Sequence, residues 1–273
     1  MQQFSRSVRQ AGKRLGFVPT MGALHAGHLS LVKMARERSD CVAVSIFVNP
    51  LQFGPTEDFS MYPRTFERDC QLLESEGVDV VFAPTVEAMY PTGAKTTVEV
   101  AEISDRLDGR SRPGHFKGVT TVVSKLFNIV QPDFAFFGQK DAAQVAILRR
   151  MVRDLNFDLE IVVGPIVREP DGLAMSSRNA YLSPEERKQA LVLHRALVQV
   201  ERRFTSGERD VQRLVSAGKQ VIAGEPAAKL DYLEIVDPDT LEPVSDLSCG
   251  ALVAVAVWIG ATRLIDNLSL PQR

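Results

Sequence analysis

Three runs in the first half of the chain are apolar at nearly every position: Gly16-Phe17-Val18, residues 41–48 (CVAVSIFV) and residues 133–137 (DFAFF). A strand with one face in water alternates apolar and polar residues, so continuous runs indicate strands covered on both faces, as in a parallel sheet. Helix-like patterns separate them. Leu29, Leu31, Val32 and Ala35 follow the first run, Phe66, Leu72 and Leu73 the second, the latter in a helix over 65–76 closed by Gly77. Residues 78–82 (VDVVF) form a further strand, and 118–130 carry Val119, Val122, Val123, Leu126, Phe127 and Val130 on one helical face. A helix over 140–155 and a strand over 159–163 complete the series. Strands alternating with helices predict an α/β fold: a Rossmann-like, doubly wound parallel sheet.

Beyond Val167 the texture changes. Ser183-Pro184-Glu185-Glu186 is a strong helix start, with a serine cap, proline at the first helical position and early acids. Helices over 184–204 and 208–223 then precede strand-like runs at 230–236, 252–259 and 262–268. Helices followed by consecutive strands predict a smaller α+β unit. We therefore expect residues 1–166 to form the larger domain and 167–273 a smaller C-terminal lid, with a short boundary near 165–171.

In an open α/β sheet ligands sit beyond the carboxyl ends of the strands. The polar clusters after Val18, Val48 and Phe137 lie at such ends. After the first strand, which Pro19 is expected to end, Met21-Gly22-Ala23 makes a small-residue turn where a ligand could approach the backbone. His25-Ala26-Gly27-His28 then puts two imidazoles on one side of a helix's first turn, where free N–H groups and the dipole favour phosphate. Met175-Ser176-Ser177-Arg178-Asn179 offers two hydroxyls and a guanidinium in succession, which suit a polyphosphate. Gly138-Gln139-Lys140-Asp141 sets a cation at another strand end, with Gln144 one turn on. Asn49-Pro50-Leu51-Gln52 supplies uncharged amides for a hydroxyl or carboxylate. Taken singly, each stretch is also compatible with an ordinary loop or helix cap. His194 reads as structural; His115, in a Gly/Pro loop, could cover a site, and its role stays open.

Composition removes other classes. A net charge of −2 over 273 residues gives no basic excess for nucleic acid or membrane surfaces. Cys41, Cys70 and Cys249 lack any C-x-x-C spacing and read as reduced, buried thiols rather than disulfides or a metal site. Residues 1–14 are polar and basic, unlike a signal peptide, and the apolar run at 251–259 is too short to span a bilayer. A soluble cytoplasmic protein is expected. P-loop, dinucleotide, zinc and hydrolase-elbow motifs are absent from the sequence.

Taken together, Pro19-Thr20-Met21-Gly22-Ala23-Leu24-His25, His25-Ala26-Gly27-His28, Phe47-Val48-Asn49-Pro50, Gln52-Phe53, Tyr62-Pro63-Arg64, Phe137-Gly138, Lys140-Asp141 and Asp171-Gly172-Leu173-Ala174-Met175-Ser176-Ser177-Arg178-Asn179 resemble the pantoate–β-alanine ligase family. The resemblance runs from residue 16 to about 182, and 262–267 (TRLIDN) resembles the family's last strand. It implies a two-step reaction: pantoate attacks the α-phosphate of ATP to give pantoyl adenylate and pyrophosphate, then β-alanine displaces AMP to give pantothenate. It further implies that Met21, Gly22, Ala23, Leu24, His25, Ala26, Gly27, His28, Gly138, Gln139, Lys140, Asp141, Val167, Met175, Ser176, Ser177 and Arg178 line the ATP site. Gln52 and Gln144 would hold pantoate, with Gln52 also near β-alanine. His25, His28, Lys140, Ser176, Ser177 and Arg178 would carry catalysis, His28 as proton donor, with Mg²⁺ shared among the phosphates and no dedicated protein metal site. A homodimer is implied as well. Gln139 departs from the glutamate of many relatives, and Ala26 holds a position often taken by glutamate.

Two other readings fit the same nucleotide site: a nucleotidyltransferase acting on a phosphorylated alcohol, and a non-catalytic adenine-nucleotide sensor. The neutral Gln52/Gln144 pair argues against the first, since a second phosphate would call for more cations. Intact His25, His28, Lys140 and Arg178 argue against the second.

Overall fold

Strand β1 (Leu15–Thr20) is the centre of a five-stranded parallel sheet and determines where a ligand can enter. The computed structural model describes residues 1–55 and 57–272; Thr56 and Arg273, the last residue of the expected second unit, lie outside it. Helix α1 (Gln2–Gln10) precedes β1; α2 (Ala26–Arg38), β2 (Cys41–Ile46), α3 (Phe66–Ser75) and β3 (Val80–Phe82) follow. Two short helices, α4 (Val86–Met89) and α5 (Asp108–Ser111), lead to α6 (His115–Val130), β4 (Phe134–Gly138), α7 (Ala142–Asp154) and β5 (Glu160–Gly164).

The strand order is β3-β2-β1-β4-β5, so the chain steps outward from β1 on one side and then returns to build the other. That reversal puts the switch point between β1 and β4. Helices cover both faces, as the apolar strands require. Phe127, Val130 and Leu148 belong to the core on one face, Leu31, Val32 and Leu73 to that on the other.

Pro19 does not end β1 as expected; the strand runs on to Thr20. Alternate residues of a parallel strand bond to opposite neighbours, and the Thr20 carbonyl accepts from Phe47 on the β2 side. Pro19 therefore faces β4, whose registered pairing with β1 covers only Gly16 and Phe17. The missing N–H costs no ladder bond, and a crevice opens at that point.

The remainder of the chain forms α8 (Pro184–Gln189), α9 (Val192–Thr205) and α10 (Val211–Ala223), then β6 (Ala228–Val236), β7 (Ala251–Ile259) and β8 (Thr262–Leu270) in an antiparallel sheet of order β6-β7-β8. The single helix expected over 184–204 is two. Leu191 and Leu193 bond to carbonyls only three residues back, and this tightened stretch lets Ala190, Val192 and Leu193 all be buried. Strand β7 is apolar because both its faces are covered along all but the Trp258 position, which is exposed. Val253, Val255, Val257 and Ile259 share a core with Leu193, Leu197 and Leu214, whereas Leu252, Ala254 and Ala256 join the cluster that contains Phe17 and Phe127. The two sheets thus share apolar core. Arg263 on β8 ties the second sheet to α5, pairing with Asp108 at 2.7 Å while Asp231 of β6, in its own sheet, holds it at 2.7 Å.

The three cysteines are unpaired, but they are not buried: Cys41 and Cys70 are half-buried and Cys249 is exposed. Sequence spacing reports on pairing, not on depth. Among the described residues no helix is long and apolar enough to cross a membrane.

Candidate active site

The turn between β1 and α2 is held in an unusual shape by a carboxylate. Gly22 and Ala23 both have left-handed backbone, φ 83° and 51°. Alanine adopts this at a cost of about 1 kcal/mol. Asp69, fully buried on α3, offsets it by accepting the N–H groups of Ala23 at 2.8 Å and Leu24 at 2.9 Å. A Cβ at Gly22 would sit 3.1 Å from that carboxylate, which explains the glycine.

The turn delivers His25 to the cap of α2. Its Nδ1 accepts the Gly27 N–H at 3.2 Å, and the His28 Nδ1 accepts the His25 N–H at 3.3 Å. With both Nδ1 atoms acting as acceptors, each neutral ring carries its proton on Nε2. The ring centroids are 4.1 Å apart. Burial, then the charge of Lys140, lowers the His25 pKa to about 4. Burial, then His25, lowers that of His28 to about 3. At neutral pH the pair consists of two uncharged N–H donors.

Both rings line a cavity of about 240 Å³ beyond the ends of β1 and β4, together with Met21, Gly27, Gln52, Gly138, Lys140, Asp141, Gln144, Val167, Met175, Ser176, Ser177 and Arg178. Most residues singled out in the sequence therefore converge. Gly22, Ala23, Leu24, Ala26 and Gln139 are not among the lining residues: Leu24 packs into the core under α2, and the Gln139 side chain donates to Asn267. Lys140 sits in a 3-10 turn (Gln139–Asp141) just before α7, not inside the expected helix, and its Nζ is 3.6 Å from the Asp141 carboxylate.

Gln52 is fixed from three directions. Asn49 Nδ2 donates to its Oε1 at 3.1 Å, while Arg112 Nη2 at 3.2 Å and His115 Nδ1 at 2.8 Å donate to its backbone carbonyl. The amide orientation turns Nε2 toward Met21, to whose Sδ it donates at 3.0 Å. Gly118 lets α6 approach this segment; a Cβ there would meet the Leu51 carbonyl oxygen at 2.1 Å. His115, left open by sequence, is thus a support beneath Gln52. Burial and Arg112 lower its pKa to about 4.

The Ser177 hydroxyl donates to the Ala23 carbonyl at 3.1 Å, tying the second polar loop to the histidine turn. Arg178 pairs with Asp58 through Nη2 at 3.0 Å and Nε at 3.2 Å. Sequence reasoning missed Asp58 and Asp69. Their roles depend on partners 120 and 46 residues away, and no local pattern marks them.

The three neutral histidines make stability depend on acid. Their folded pKa values lie below the ordinary 6.5, so the unfolded chain takes up protons first as the pH falls. The contribution is intact above pH 6.5 and is lost between about 6.5 and 3, the lower end set by His28. With about 1 kcal/mol per partly exposed ring at pH 5, the melting temperature should drop by roughly 6 °C between pH 7 and 5. Melts that do not change over that range would show that the rings are not held neutral.

Known proteins resemble this chain over nearly its whole length. Residues 1–269 match the family model described as pantoate-beta-alanine ligase. The pantothenate synthetase of Koribacter versatilis is 65% identical, with 99% of this chain and 93% of the relative covered. That of Thermotoga neapolitana is 59% identical, covering 99% and 96%. The crystal structure of pantothenate synthetase from Thermus thermophilus superposes with a TM-score of 0.92 at 51% identity, covering 97% of this chain and 96% of that one. The pantoate-beta-alanine ligase of Francisella tularensis, solved with beta-gamma ATP and beta-alanine, gives 0.79 at 36% identity, covering 97% and 94%. With its whole length matched in sequence and in fold, the chain belongs to the pantoate-beta-alanine ligase family.

Proposed function

We propose that this ligase joins pantoate to β-alanine through an acyl adenylate formed from ATP in the cleft beyond β1 and β4. The observation that carries the reading is the convergence of His25 and His28, Lys140 and Arg178, from three separate segments, on one cavity. In the first step a pantoate carboxylate oxygen bonds to the α-phosphorus and the bond to the bridging oxygen of pyrophosphate breaks. The nucleophile is already ionised near neutral pH, so no base is needed. The barrier lies in bringing two anions together and in the charge that develops on the departing pyrophosphate.

The cavity's donors match that demand. Lys140 and Arg178 are cations, Ser176 and Ser177 hydroxyl donors. His28, with a pKa near 3, acts as a neutral Nε2–H donor to a phosphate oxygen rather than as an acid that surrenders its proton. Gln52 and Gln144 orient pantoate without binding its carboxylate so tightly that attack is suppressed. In the second step the β-alanine amine forms the C–N bond, the acyl–oxygen bond to AMP breaks, and the amine loses its proton. The Francisella relative solved with beta-gamma ATP and beta-alanine supports both ligands here.

Mg²⁺ fits this donor set as a partner of the triphosphate. Among the described residues no cluster of three or more metal-ligating side chains exists, and Asp141 is the one carboxylate lining the cavity. Phosphate oxygens, water and Asp141 would hold the ion, which when bound neutralises phosphate charge. We read the smaller C-terminal unit as a lid fixed in place over the cleft, with the Ser176–Arg178 loop covering the triphosphate, supported by Ser177 reaching the histidine turn. A cytoplasmic location is supported by the unpaired thiols; the homodimer rests on resemblance alone.

The test is purified protein with ATP, Mg²⁺, pantoate and β-alanine. Pantothenate and AMP are expected in equal amounts, with AMP formation dependent on β-alanine under turnover. AMP appearing at the same rate without pantoate would overturn the reading.

A further inference from the structure

Asn267 lies on the last strand, β8, 2% exposed. Its Nδ2 donates to the backbone carbonyls of Gln139 and Lys140, at 2.9 Å each, and its Oδ1 accepts from Gln139 Nε2 at 3.2 Å. Both N–H bonds and the acceptor of this amide are thereby used on the one turn that carries Lys140. The neighbouring Asp266 carboxylate, 3% exposed, accepts the Asn267 N–H at 2.8 Å and the Arg168 guanidinium at 2.6 and 3.0 Å. Arg168 in turn donates to the Gly172 carbonyl at 3.1 Å, in the segment that leads from β5 to Met175 and Ser176. Two adjacent residues of one strand thus bond to both of the cation-bearing segments of the cleft.

We propose that Asn267 is a positioning residue for Lys140, and that with Asp266 it makes β8 the frame that sets the spacing between the Lys140 turn and the Ser176–Arg178 loop. The inference rests on the reading of Lys140 as a triphosphate ligand. Strand β8 is buried against two cores, so it is a rigid reference. A turn of three residues has few bonds of its own, and a lysine on it gains its aim from what holds its backbone. Without the two donated bonds the ammonium group keeps its charge but loses its fixed place.

Asn267→Asp tests this at unchanged size. Ionised, the new side chain opposes two carbonyl oxygens and the Asp266 carboxylate, which raises its pKa; protonated, it can donate to one carbonyl again. We expect kcat/KM for ATP to fall about 10-fold or more at pH 8, for two lost neutral bonds, with the pantoate KM within about 2-fold. The ratio of variant to wild-type kcat/KM should rise as the pH is lowered from 8 to 6. A merely structural role would lower the melting temperature without that pH dependence or that selectivity for ATP. Asn267→Ser, with one short donor, should lie between the two and replaces the aspartate variant if the latter does not fold. Lys140→Met measured in parallel separates the failures. If it is impaired while both Asn267 variants keep normal ATP kinetics, or while a folded Asn267→Asp loses activity independently of pH, the positioning role is overturned; if Lys140→Met is itself without effect, the reading beneath it falls too.

Discussion

On the mechanism proposed above, replacing His28 by alanine is expected to slow pantoyl adenylate formation by about 10²–10³-fold, the usual loss for one preorganised donor to developing charge. The wild-type ring supplies two things from two atoms. Nδ1 accepts the His25 N–H and shapes the start of α2, while Nε2 carries the only proton of a ring that lines the cavity. Asparagine places an acceptor near Nδ1 and nothing at Nε2; glutamine can place a donor near Nε2. His28→Asn should therefore melt like the wild type and be as slow as His28→Ala, with His28→Gln recovering part of the rate. Rapid-quench measurement of AMP-moiety transfer to pantoate, with each variant's melting temperature, separates the two atoms. Wild-type rates in the alanine and asparagine variants would remove the ring from the chemistry. Because the folded pKa is about 3, the wild-type rate should show no loss assignable to His28 deprotonation between pH 6 and 8.

Lys140→Met should reduce kcat/KM for ATP by about 10²-fold, since a cation directed at phosphate in a partly desolvated cleft is worth several times a surface charge. Lys140 is one-fifth exposed and faces Asp141, so methionine fills the same volume while leaving that carboxylate without its partner. The variant carries a second signature. Lys140 is the second cause, after burial, of the low His25 pKa; without the charge that pKa should rise above 4, visible as a shifted ring-proton titration by NMR. Reduced ATP use with an unmoved His25 titration would mean that the ammonium group does not face the histidines. Unchanged ATP kinetics would contradict its phosphate role outright.

The fold was legible because its sheet is buried on both sides, and a doubly buried strand leaves a continuous apolar run such as CVAVSIFV. The Lys140 turn and the break between α8 and α9 were not, since each is set by packing that no periodicity records. In the site, the histidines, Lys140 and the Ser-Ser-Arg loop stood out because strand ends and helix starts are written locally. Family resemblance then supplied their assignment to ATP and pantoate. Asp69, Asp58 and Asn267 could not be read this way. Each is a polar residue whose meaning is a backbone amide, a guanidinium or a carbonyl brought near only by the completed topology.

The apolar cluster shared by β7 and the first sheet also limits how the molecule can move. Ala254 and Ala256 pack in the same core as Phe17 and Phe127, and Arg263, anchored to Asp231 within its own sheet, grips Asp108 across the junction. A door swinging on a hinge would have to tear that core open, so any approach of the two sheets is a shear of about a side chain's width. On the proposed reaction, admitting substrate and releasing pyrophosphate would then fall to side chains at the cleft mouth, where the Asp58–Arg178 ion pair can break and re-form without disturbing the core.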